Sequence, residues 1–454
     1  MQVSYVKDDV AFRDYDDIVV VYNLKNGAII TLENVAADIW RYLSSGVHAT
    51  VNSIAENIAE IYDCRFEDVV DDIAQFVDEL YSSGIVQING NYYITEGANP
   101  STEDSSDLEG EIIQLMGKRG QLFSATLELT YACNEKCIHC YANYPENDSV
   151  HLTVTKAEYL RVIDELYELG CLHLSLTGGD PFMYSDFLDV YNYARDKGFV
   201  CDIYTNGLYI ADHPSVLDDM TKRNPRVFYI SLYGATAFTH DRVTTIEGSF
   251  EKTIAAIKSL TERKIPVVLN VMLLNTNYTE AQDIIELANT LGVQYRVGMS
   301  LIYKNDGSDQ PMNYFINDKE KIKSVLKLIN KNLYTFDQDV LDIQKGELIC
   351  GAGSSSVSVS PEGKVYPCIS LKVLLGNIHT ETMDDIWNSD KRKQLVDSLR
   401  WENTTNCNQC DFYQYCPHCI GISEGETGDL FSCNTCDRML AECICEMKGA
   451  DEKE

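Results

Sequence analysis

Three cysteines lie within eight residues in the segment TYACNEKCIHCYA, and no fourth cysteine follows nearby. They are Cys133, Cys137 and Cys140. A [4Fe-4S] cluster can use three closely spaced cysteines of one loop and leave its fourth iron open for another ligand. A structural zinc site needs a fourth protein ligand, which His139 of the same loop could supply. The spacing therefore predicts a metal site and leaves iron-sulfur and zinc chemistry open.

Ten further cysteines lie in the C-terminal third of the chain. Cys350 and Cys368 bracket a predicted hairpin, SVSVSPEGKVYPC, in which Gly363 precedes Cys368 by five residues. The other eight are Cys407, Cys410, Cys416, Cys419, Cys433, Cys436, Cys443 and Cys445. On spacing alone, the two Cys-x-x-Cys pairs of CNQCDFYQYCPHC are typical of zinc sites. The isolated cysteines Cys64, Cys171 and Cys201 are predicted to be packed thiols.

The composition narrows the setting of this chemistry. The chain has 454 residues, too many for one hydrophobic core, and its 45% hydrophobic and 24% charged residues are typical of globular proteins. The sequence contains no run of about 18 apolar residues and no signal-peptide pattern, which predicts a cytoplasmic protein. A net charge of -33 repels nucleic-acid phosphates and anionic lipids, so neither is expected as a partner. Sixteen cysteines without a secretion signal favour metal binding over disulfides.

Strands and helices alternate from Leu122 onward, and this alternation places the first cysteine group. The predicted strands are FSATLELT, LHLSLT, VCDIYT, VFYISL, VVLNVM and VQYRVGM, separated by helices such as 155–169 and 250–263. This order implies parallel strands in a barrel or an open sheet, with fewer units than a complete eight-stranded barrel. Such folds place their sites at the C-terminal ends of the strands, where the cysteine loop follows the first strand.

The first 97 residues are predicted to form a separate unit. DIVVVYNLKNGAIITL reads as a hairpin through Asn26-Gly27, and IVQINGNYYI as a second hairpin at Asn89-Gly90. Three helices are predicted between them. This winged-helix-like unit contains no cluster of chemically active side chains, so we expect it to bind and not to catalyse. Residues 98–120 are predicted to be a linker because GANPSTEDSSDLEG is polar and acidic.

The cysteine loop, taken with the barrel, resembles the CxxxCxxC motif of the radical S-adenosylmethionine superfamily. The resemblance implies that Cys133, Cys137 and Cys140 bind a [4Fe-4S] cluster whose open iron binds S-adenosylmethionine. In that family the cofactor is cleaved to a 5'-deoxyadenosyl radical, which abstracts hydrogen from the substrate. The implied task of the protein is to orient the cofactor and to exclude water.

The resemblance extends to three other strand ends. LTGGDPFM matches the glycine-rich motif that contacts the methionine amino group in the family, while YTNG and ISLYG stand where the family places ribose and carboxylate contacts. Ser231 is the implied ribose partner and Arg242 a carboxylate partner. The residue before the third cysteine is usually aromatic in the family and packs near adenine; here it is a histidine. The implied cofactor-binding residues are His139, Gly178, Gly179, Asp180, Pro181, Thr205, Asn206, Ser231 and Arg242.

The C-terminal cysteines resemble the SPASM domain, which holds two auxiliary iron-sulfur clusters. The resemblance implies one ligand set of Cys350, Cys368 and Cys419, and a second of Cys407, Cys410, Cys416 and Cys436. Two residues separate Cys416 from Cys419, where the family commonly has three. Cys433, Cys443 and Cys445 stay unassigned. Three [4Fe-4S] clusters, hence about twelve iron atoms, are expected in the complete protein.

The expected fold is therefore α/β, with a partial (β/α)6 barrel over residues 121–310. A winged-helix-like peptide-binding domain precedes it over residues 1–97, and a bridging region with a cysteine-rich iron-sulfur domain follows over residues 311–454. The N-terminal unit resembles the small fold, first known from pyrroloquinoline quinone biosynthesis, that recognises precursor peptides. In that fold the leader peptide adds as a strand to an exposed sheet edge.

These resemblances imply a radical S-adenosylmethionine maturase of a ribosomally made precursor peptide, with an electron donor such as flavodoxin or ferredoxin. Thioether formation between a cysteine sulfur and an acceptor carbon is the first expectation. Carbon-carbon or carbon-oxygen crosslinking and epimerisation are alternatives, as is a zinc-containing scaffold without catalysis. Sulfatase activation is a further alternative, although Ile369 stands where such enzymes typically have an aspartate. The sequence assigns no catalytic acid or base.

Overall fold

The computed structural model describes residues 2–46, 48–92, 103–142, 154–329 and 346–451. Three regions follow one another along the chain, and they match the expected α/β architecture. In the part of the chain that is described, no helix is long and apolar enough to cross a membrane.

The first region contains two small antiparallel sheets and three helices. Its elements are β1 (Gln2–Tyr5), β2 (Val10–Asp14), β3 (Ile18–Asn23), β4 (Ile29–Glu33), α1 (Val35–Ser44), β5 (Ala49–Thr50), α2 (Val51–Ile61), α3 (Phe66–Ser82), β6 (Val86–Ile88) and β7 (Asn91–Tyr92). Strands β2, β3 and β4 form one sheet, and β5, β1, β6 and β7 form the other. The two predicted hairpins are confirmed as β3–β4 and β6–β7, and the second turns at Asn89 and Gly90, both with positive φ. Strand β2 adds a third strand beside the first hairpin.

The second region contains the six predicted parallel strands. They are β8 (Ser124–Thr130), β9 (His173–Gly178), β10 (Val200–Thr205), β11 (Val227–Ser231), β12 (Val267–Met272) and β13 (Gln294–Gly298). The helices between and after them are α5 (Lys156–Glu168), α6 (Phe187–Asp196), α7 (Leu208–Asp212), α8 (Val216–Met220), α9 (Ala237–Thr244), α10 (Ser249–Glu262), α11 (Ala281–Leu291) and α12 (Lys319–Leu328). Alternate residues such as Leu127 and Leu129 pack against these helices in the main core. Residues between them, such as Glu128, therefore face the inside of the curved sheet.

The sheet continues into the third region instead of closing into a barrel. Strand β14 (Ser356–Val359) pairs in parallel with β8, and β15 (Lys364–Tyr366) and β16 (Gly376–Asn377) follow in antiparallel order. The result is a nine-stranded sheet with β13 and β16 at its two edges. The predicted hairpin SVSVSPEGKVYPC is confirmed as β14–β15, and Gly363 in its turn has a positive φ.

Four helices complete the third region: α13 (Met383–Trp387), α14 (Asp390–Ser398), α15 (Ile420–Thr427) and α16 (Thr435–Asp451). Helix α16 packs against α12, where Leu440 and Ile444 join the hydrophobic core of the second region. Lys319 of α12 also forms ion pairs with Glu442 and Glu446 of α16. The cysteine-rich region and the parallel strands therefore share one core.

The β2–β3–β4 sheet is covered on both faces, so every residue of β3 is buried. Val19 and Val21 pack against the helices of the first region. Val20 and Tyr22 pack on the opposite side, against the second region. The second region contributes Phe123, Leu172 and Val200 to this contact. These three residues lie at the N-terminal ends of β8, β9 and β10, so the first region covers the floor of the parallel sheet.

Polar side chains fix the same contact. The Arg13 Nε atom donates to the Cys171 carbonyl at 2.9 Å, and Tyr15 Oη donates to the Gly170 carbonyl at 2.8 Å. Arg13 also lies 4.3 Å from the centre of the Tyr167 ring, where a guanidinium gains from the aromatic face. Cys171 is thus a buried thiol in a structural contact, as predicted.

Much of the predicted linker is helical. Helix α4 (Glu103–Arg119) occupies most of residues 98–120, and residues 98–102 lie outside the described part of the chain. Ile112 and Met116 of α4 are buried in the contact between the first and second regions. The apolar second half of the segment explains the difference, because those side chains stabilise the helix by packing.

Candidate functional site

The first cysteine group lies in the loop after β8, at the C-terminal edge of the parallel strands. Cys133, Cys137 and Cys140 are all partly exposed. The loop is bound to the C-terminal end of α9 by two backbone hydrogen bonds. Lys136 N donates to the Thr244 carbonyl at 3.0 Å, and Ile138 N donates to the Val243 carbonyl at 2.9 Å. Backbone bonds from another element therefore fix the positions of the three thiols.

The three thiols lie close enough to influence one another. Burial, together with the nearby Asp180, Glu135 and Cys140, raises the pKa of Cys133 to about 12. Burial also raises the pKa of Cys137 well above its usual range, with Glu135, Cys140 and Cys133 adding to the effect. Thiolates at this position therefore need a bound cationic group for stability.

Three cysteines in one loop are a donor set that suits a [4Fe-4S] cluster with one open iron. Within the described ranges, no three His, Cys, Asp or Glu side chains are placed to hold a single metal ion. A [4Fe-4S] cluster binds each cysteine to a different iron, so its ligands surround a volume and not one point. His139 is the residue that would supply the fourth ligand of a zinc site. Its ring packs edge-on against Tyr233, with 4.7 Å between the ring centres. The thiols therefore fit an iron-sulfur cluster.

The glycine-rich motif packs directly against the chain that leads into this loop. A Cβ atom at Gly178 would lie 2.2 Å from the Thr130 carbonyl oxygen, and one at Gly179 would lie 2.4 Å from the Ala132 carbonyl oxygen. Gly178 also has a φ of 141°, which disfavours other residues. The two glycines are therefore required for the close approach of β9 to the cysteine loop.

The Asp180 side chain joins the C-terminal ends of β9 and β10 by hydrogen bonds. Its fully buried carboxylate accepts hydrogen bonds from Thr205 Oγ1 at 2.6 Å, from Asn206 N at 3.0 Å and from Phe182 N at 3.0 Å. Pro181 begins the short 3-10 turn that follows. Burial raises the pKa of Asp180, while these hydrogen bonds lower it. The side chain of Asp180 is thus engaged within the protein, and the motif would contact a cofactor through its backbone.

The YTNG segment is joined to the cysteine loop by Asn206. The side-chain amide of Asn206 donates to Asn134 Oδ1 at 2.6 Å and lies 3.6 Å from Cys133 Sγ. Thr205 is buried beneath it, and its hydroxyl is used by Asp180. The structure therefore brings the loop, the glycine-rich motif and the YTNG segment together, in the order that the sequence predicted.

The remaining predicted cofactor residues differ in their placement. Ser231 ends β11 and is partly exposed at the same edge of the sheet. The His139 ring is partly exposed beside the cysteines, and burial lowers its pKa to about 4. Arg242 is exposed on α9, and its guanidinium lies 5.1 Å from the ring centre of the exposed Phe238. The surroundings of Arg242 thus give no support to its predicted carboxylate contact.

Three of the C-terminal cysteines form a first auxiliary group, which we define as Cys350, Cys368 and Cys419. Ser370 Oγ lies 3.2 Å from Cys368 Sγ and 3.7 Å from Cys419 Sγ. Cys350 is exposed as a residue, but the protein around its thiol, together with Cys368 and Cys419, raises the pKa of that thiol to about 12. The structure thus gathers cysteines that are far apart in the sequence.

Asp437 of α16 fixes the backbone at Cys419. Its buried carboxylate accepts a hydrogen bond from Cys419 N at 2.6 Å and another from Asn434 Nδ2 at 2.8 Å. Ser300 Oγ also lies 3.4 Å from the other carboxylate oxygen. Sequence reasoning missed Asp437, because an aspartate near a helix start is an ordinary capping residue.

We define a second auxiliary group as Cys407, Cys410, Cys416 and Cys433, because these thiols influence one another electrostatically. Burial raises the pKa of Cys433, and the thiols of Cys407 and Cys410 raise it further. Burial likewise raises the pKa of Cys416 to about 12, with contributions from Asp437, Cys433 and Cys407. Cys433, which the sequence left unassigned, therefore lies with the second group.

Cys436, predicted as a ligand of the second cluster, lies on the side of the first auxiliary group. It is buried, and burial raises its pKa to about 12, with Asp437, Glu426 and Cys419 adding to the effect. Cys443 is buried in the main core, and its Sγ lies 3.7 Å from the Lys319 carbonyl oxygen. Cys445 is partly exposed on the same helix.

Comparison with protein families assigns each of the three regions. Residues 127–288 match the Radical SAM superfamily, residues 350–411 match SPASM, an iron-sulfur cluster-binding domain, and residues 19–86 match PqqD, the coenzyme PQQ synthesis protein D. The first range covers β9 to β12 and most of β8, the second includes four of the C-terminal cysteines, and the third runs from β3 to the start of β6. The three resemblances predicted from the sequence are therefore confirmed.

Curated relatives cover most of the chain. The antilisterial bacteriocin subtilosin biosynthesis protein AlbA of Bacillus subtilis is 23% identical over 432 residues, which are 92% of this chain and 88% of AlbA. An AdoMet-dependent heme synthase of Methanosarcina barkeri is 29% identical over 332 residues, which are 66% of this chain and 92% of the synthase. AlbA aligns with all three regions, whereas the synthase alignment covers two thirds of this chain.

Among solved structures, Streptococcus suis SuiB bound to its precursor peptide SuiA has the same fold over nearly the whole chain. The TM-score is 0.64 at 14% identity, and the alignment covers 97% of this chain and 100% of SuiB. The chain described here thus contains a radical SAM domain, with a PqqD domain before it and a SPASM domain after it.

Proposed function

We propose that this protein is a radical S-adenosylmethionine enzyme that modifies a ribosomally made precursor peptide, and that it forms a thioether crosslink. The observation that carries the proposal is the union in one chain of a PqqD domain with a cysteine loop built to hold a cluster. Several relatives support peptide modification by their names, among them the subtilosin biosynthesis protein and the PqqA peptide cyclase. The enzyme would take electrons from a donor such as flavodoxin or ferredoxin.

The PqqD domain has one sheet edge suited to a peptide strand. Strand β3 lies in the middle of its sheet, and β2 is flanked by the second region through Arg13. Strand β4 is the other edge, with β3 as its one neighbour in the described sheet. A leader peptide that pairs with β4 would gain backbone hydrogen bonds, as in other cases of strand addition.

An apolar groove begins directly after β4. It has a volume of about 450 Å³ and is lined by Val35, Ala36, Ile39, Ile58, Tyr62, Cys64, Val69, Asp72, Ile73 and Phe76. Asp72 is its one charged lining residue. The groove and the β4 edge together favour a leader with an apolar anchor beside neutral or basic residues, in keeping with the net charge of -33.

The cofactor site and the cysteine groups supply the chemistry. When bound, S-adenosylmethionine and its cluster provide a radical that removes a hydrogen atom from the substrate. Cys133, Cys137 and Cys140 would hold that cluster, and the backbone of Gly178 and Gly179 would border the cofactor. Two auxiliary clusters would be held by the first and second auxiliary groups, which makes three in all.

The first auxiliary group favours a thioether over other crosslinks. Its three cysteines leave a fourth position of a [4Fe-4S] cluster available to a substrate cysteine or to Cys436. A substrate thiol held near the parallel strands would be close to the carbon that loses hydrogen, which makes bond closure effectively intramolecular.

Mass spectrometry of a precursor provides the test. The reconstituted enzyme should be mixed under anaerobic conditions with S-adenosylmethionine, a reductant and the short peptide encoded beside its gene. We expect the peptide to lose two hydrogen atoms and one thiol that reacts with iodoacetamide. A precursor with its cysteines changed to Ala should stay unmodified. Loss of hydrogen without loss of a thiol would contradict the thioether and favour a carbon-carbon or carbon-oxygen link.

The recognition half of the proposal has its own test. Val35→Glu places a charge in the groove at a residue that is already 38% exposed, so folding should be unaffected. We expect precursor binding to weaken at least about tenfold, the equivalent of about 1.4 kcal/mol. Ile61→Glu is the matched control, because Ile61 is 53% exposed and lies outside the groove lining. Equal binding by both variants would place the leader elsewhere.

A further inference from the structure

Lys372 lies where the first auxiliary group meets the cysteine loop. It follows Cys368 by four residues and is partly buried. Its Nζ atom is 5.1 Å from the centre of the Tyr366 ring and 5.8 Å from that of the Tyr141 ring. Tyr141 directly follows Cys140. The amine thus lies near both the cysteine loop and Cys368 of the first auxiliary group. No sequence pattern distinguishes Lys372 from the other lysines.

A buried carboxylate stands behind this amine. Glu128 projects from β8 to the inside of the sheet and is fully buried. Tyr141 Oη donates to Glu128 Oε1 at 2.8 Å, whereas Oε2 has no hydrogen-bond partner among the described residues. Burial raises the pKa of the Glu128 carboxyl group, and the positive charge of Lys372 and the Tyr141 hydrogen bond lower it. Glu128, Tyr141 and Lys372 therefore form one polar chain that begins at β8 and ends at the Lys372 amine.

A crosslinking enzyme needs a proton acceptor at this position. Joining a C–H group to an S–H, C–H or O–H group releases one hydrogen atom, one proton and one electron. When bound, S-adenosylmethionine and the iron-sulfur clusters would take up the hydrogen atom and the electron. The proton requires a base beside the reacting atoms.

We propose that Lys372 is the general base that accepts this proton, and that Glu128 is a positioning residue that acts through Tyr141. The inference rests on the proposed function, because epimerisation or a scaffold role would release no such proton. As the bond closes, the neutral Lys372 amine becomes an ammonium ion. The charge of Glu128 then stabilises that ion, and the faces of Tyr141 and Tyr366 do so as well.

The environment of Lys372 agrees with this role. Burial lowers its pKa, and the nearby Glu128 and Cys368 offset part of that effect. An amine with a lowered pKa is neutral in a larger fraction of molecules at neutral pH, as a base must be.

Lys372→Arg is the most informative variant. Arginine keeps the ring contacts but is always protonated near neutral pH, so it cannot accept a proton as the neutral Lys372 amine would. We expect the variant to keep its iron content and to form 5'-deoxyadenosine with precursor within about threefold of the parent, while crosslinked peptide falls about 100-fold, as for loss of a general base. Lys364→Arg is the matched control, since Lys364 lies nearby in β15 and pairs with Glu362, and it should crosslink normally.

Two more variants distinguish a role of Lys372 as a base from a role in packing alone. Lys372→Ala should regain crosslinking when methylamine is added, because a free amine can take the proton. Glu128→Gln should lower crosslinking about tenfold, because the Lys372 ammonium ion loses a stabilising charge equivalent to about one pKa unit. The variant should still form 5'-deoxyadenosine.

The outcomes are distinct for the two proposals. Normal crosslinking by Lys372→Arg, or loss of 5'-deoxyadenosine together with crosslinking, would overturn the role of Lys372 while the parent enzyme still supports the proposed function. A failure of methylamine to restore Lys372→Ala would argue against proton transfer. A parent enzyme that leaves the precursor uncrosslinked would overturn the proposed function, and the base with it.

Discussion

The cysteine loop after β8 and the two auxiliary groups hold thiols in different ways. The loop takes all three cysteines from one eight-residue segment, fixed by backbone bonds to the end of α9. The first auxiliary group gathers Cys350, Cys368 and Cys419 from separate segments through Ser370 and Asp437. Local spacing therefore defines the first site almost completely, whereas the auxiliary sites depend on the packing of distant parts of the chain.

The largest effect should come from the loop itself. Replacing Cys133, Cys137 and Cys140 together by Ala should abolish cleavage of S-adenosylmethionine and remove about a third of about twelve iron atoms. Iron analysis and chromatography of the cleavage products measure both. Cys201→Ala is the control, because Cys201 is buried in the main core. We expect this variant protein to keep its full iron content. If the triple variant still cleaved S-adenosylmethionine, the radical site would have to lie elsewhere than in the loop.

A smaller change can displace the same loop without removing a ligand. Gly179→Ala should reduce cleavage of S-adenosylmethionine more than about tenfold, since a Cβ atom 2.4 Å from the Ala132 carbonyl must push the loop aside. Gly110→Ala in α4 has open space around it and should leave cleavage unchanged. A variant at Gly179 with normal activity would show that the loop tolerates displacement.

The assignment of the auxiliary groups can be sharpened with two single changes. We expect Cys433→Ser to alter the spectrum of the second auxiliary cluster, because Cys433 lies beside Cys407 and Cys410. Cys436→Ser should leave that cluster unchanged and affect only the first. Electron paramagnetic resonance of variants that also lack Cys133, Cys137 and Cys140 separates the two signals. The reverse pattern would restore the ligand set predicted from the sequence.

The smallest effect should follow from Asp437→Asn. The variant loses the charged acceptor of the Cys419 N–H and should destabilise the protein by about 1–2 kcal/mol, as for a hydrogen bond to a charged group. Thermal unfolding of the anaerobic protein measures the loss. Asp429→Asn is the control, because the Asp429 carboxylate also accepts a backbone hydrogen bond, from Phe431 N, but at an exposed turn between α15 and α16. If both changes have equal effects, Asp437 does not position Cys419.

Sequence reasoning identified elements whose signals are local. The six parallel strands, the hairpins and the cysteine loop all appear where periodicity and spacing placed them. The helix over Glu103–Arg119 was missed, because its acidic first half resembles a linker and its apolar second half is stabilised by contacts with other regions.

The placement of Cys433 and Cys436 could not be predicted. They are three residues apart on either side of the start of α16, so their distances to the two auxiliary groups depend on how that helix packs against α12. Glu128 offered a signal that went unused: it is the one charged residue in the apolar strand FSATLELT. Lys372 offered none, since its importance comes from its proximity to the Tyr141 ring, which is far away in the sequence.

The covered floor of the parallel sheet limits where a bound peptide can travel. Strand β4 belongs to the region beneath the strands, and the cysteine loop lies above them, at the other end of the seven-residue β8. At about 3.3 Å per residue, that strand alone separates the two ends by about 20 Å. A peptide anchored at β4 would have to pass around the outside of the sheet, which takes at least about ten extended residues. Residues closer than this to the anchored segment would escape modification, so the length of the intervening segment would select which positions of a peptide react.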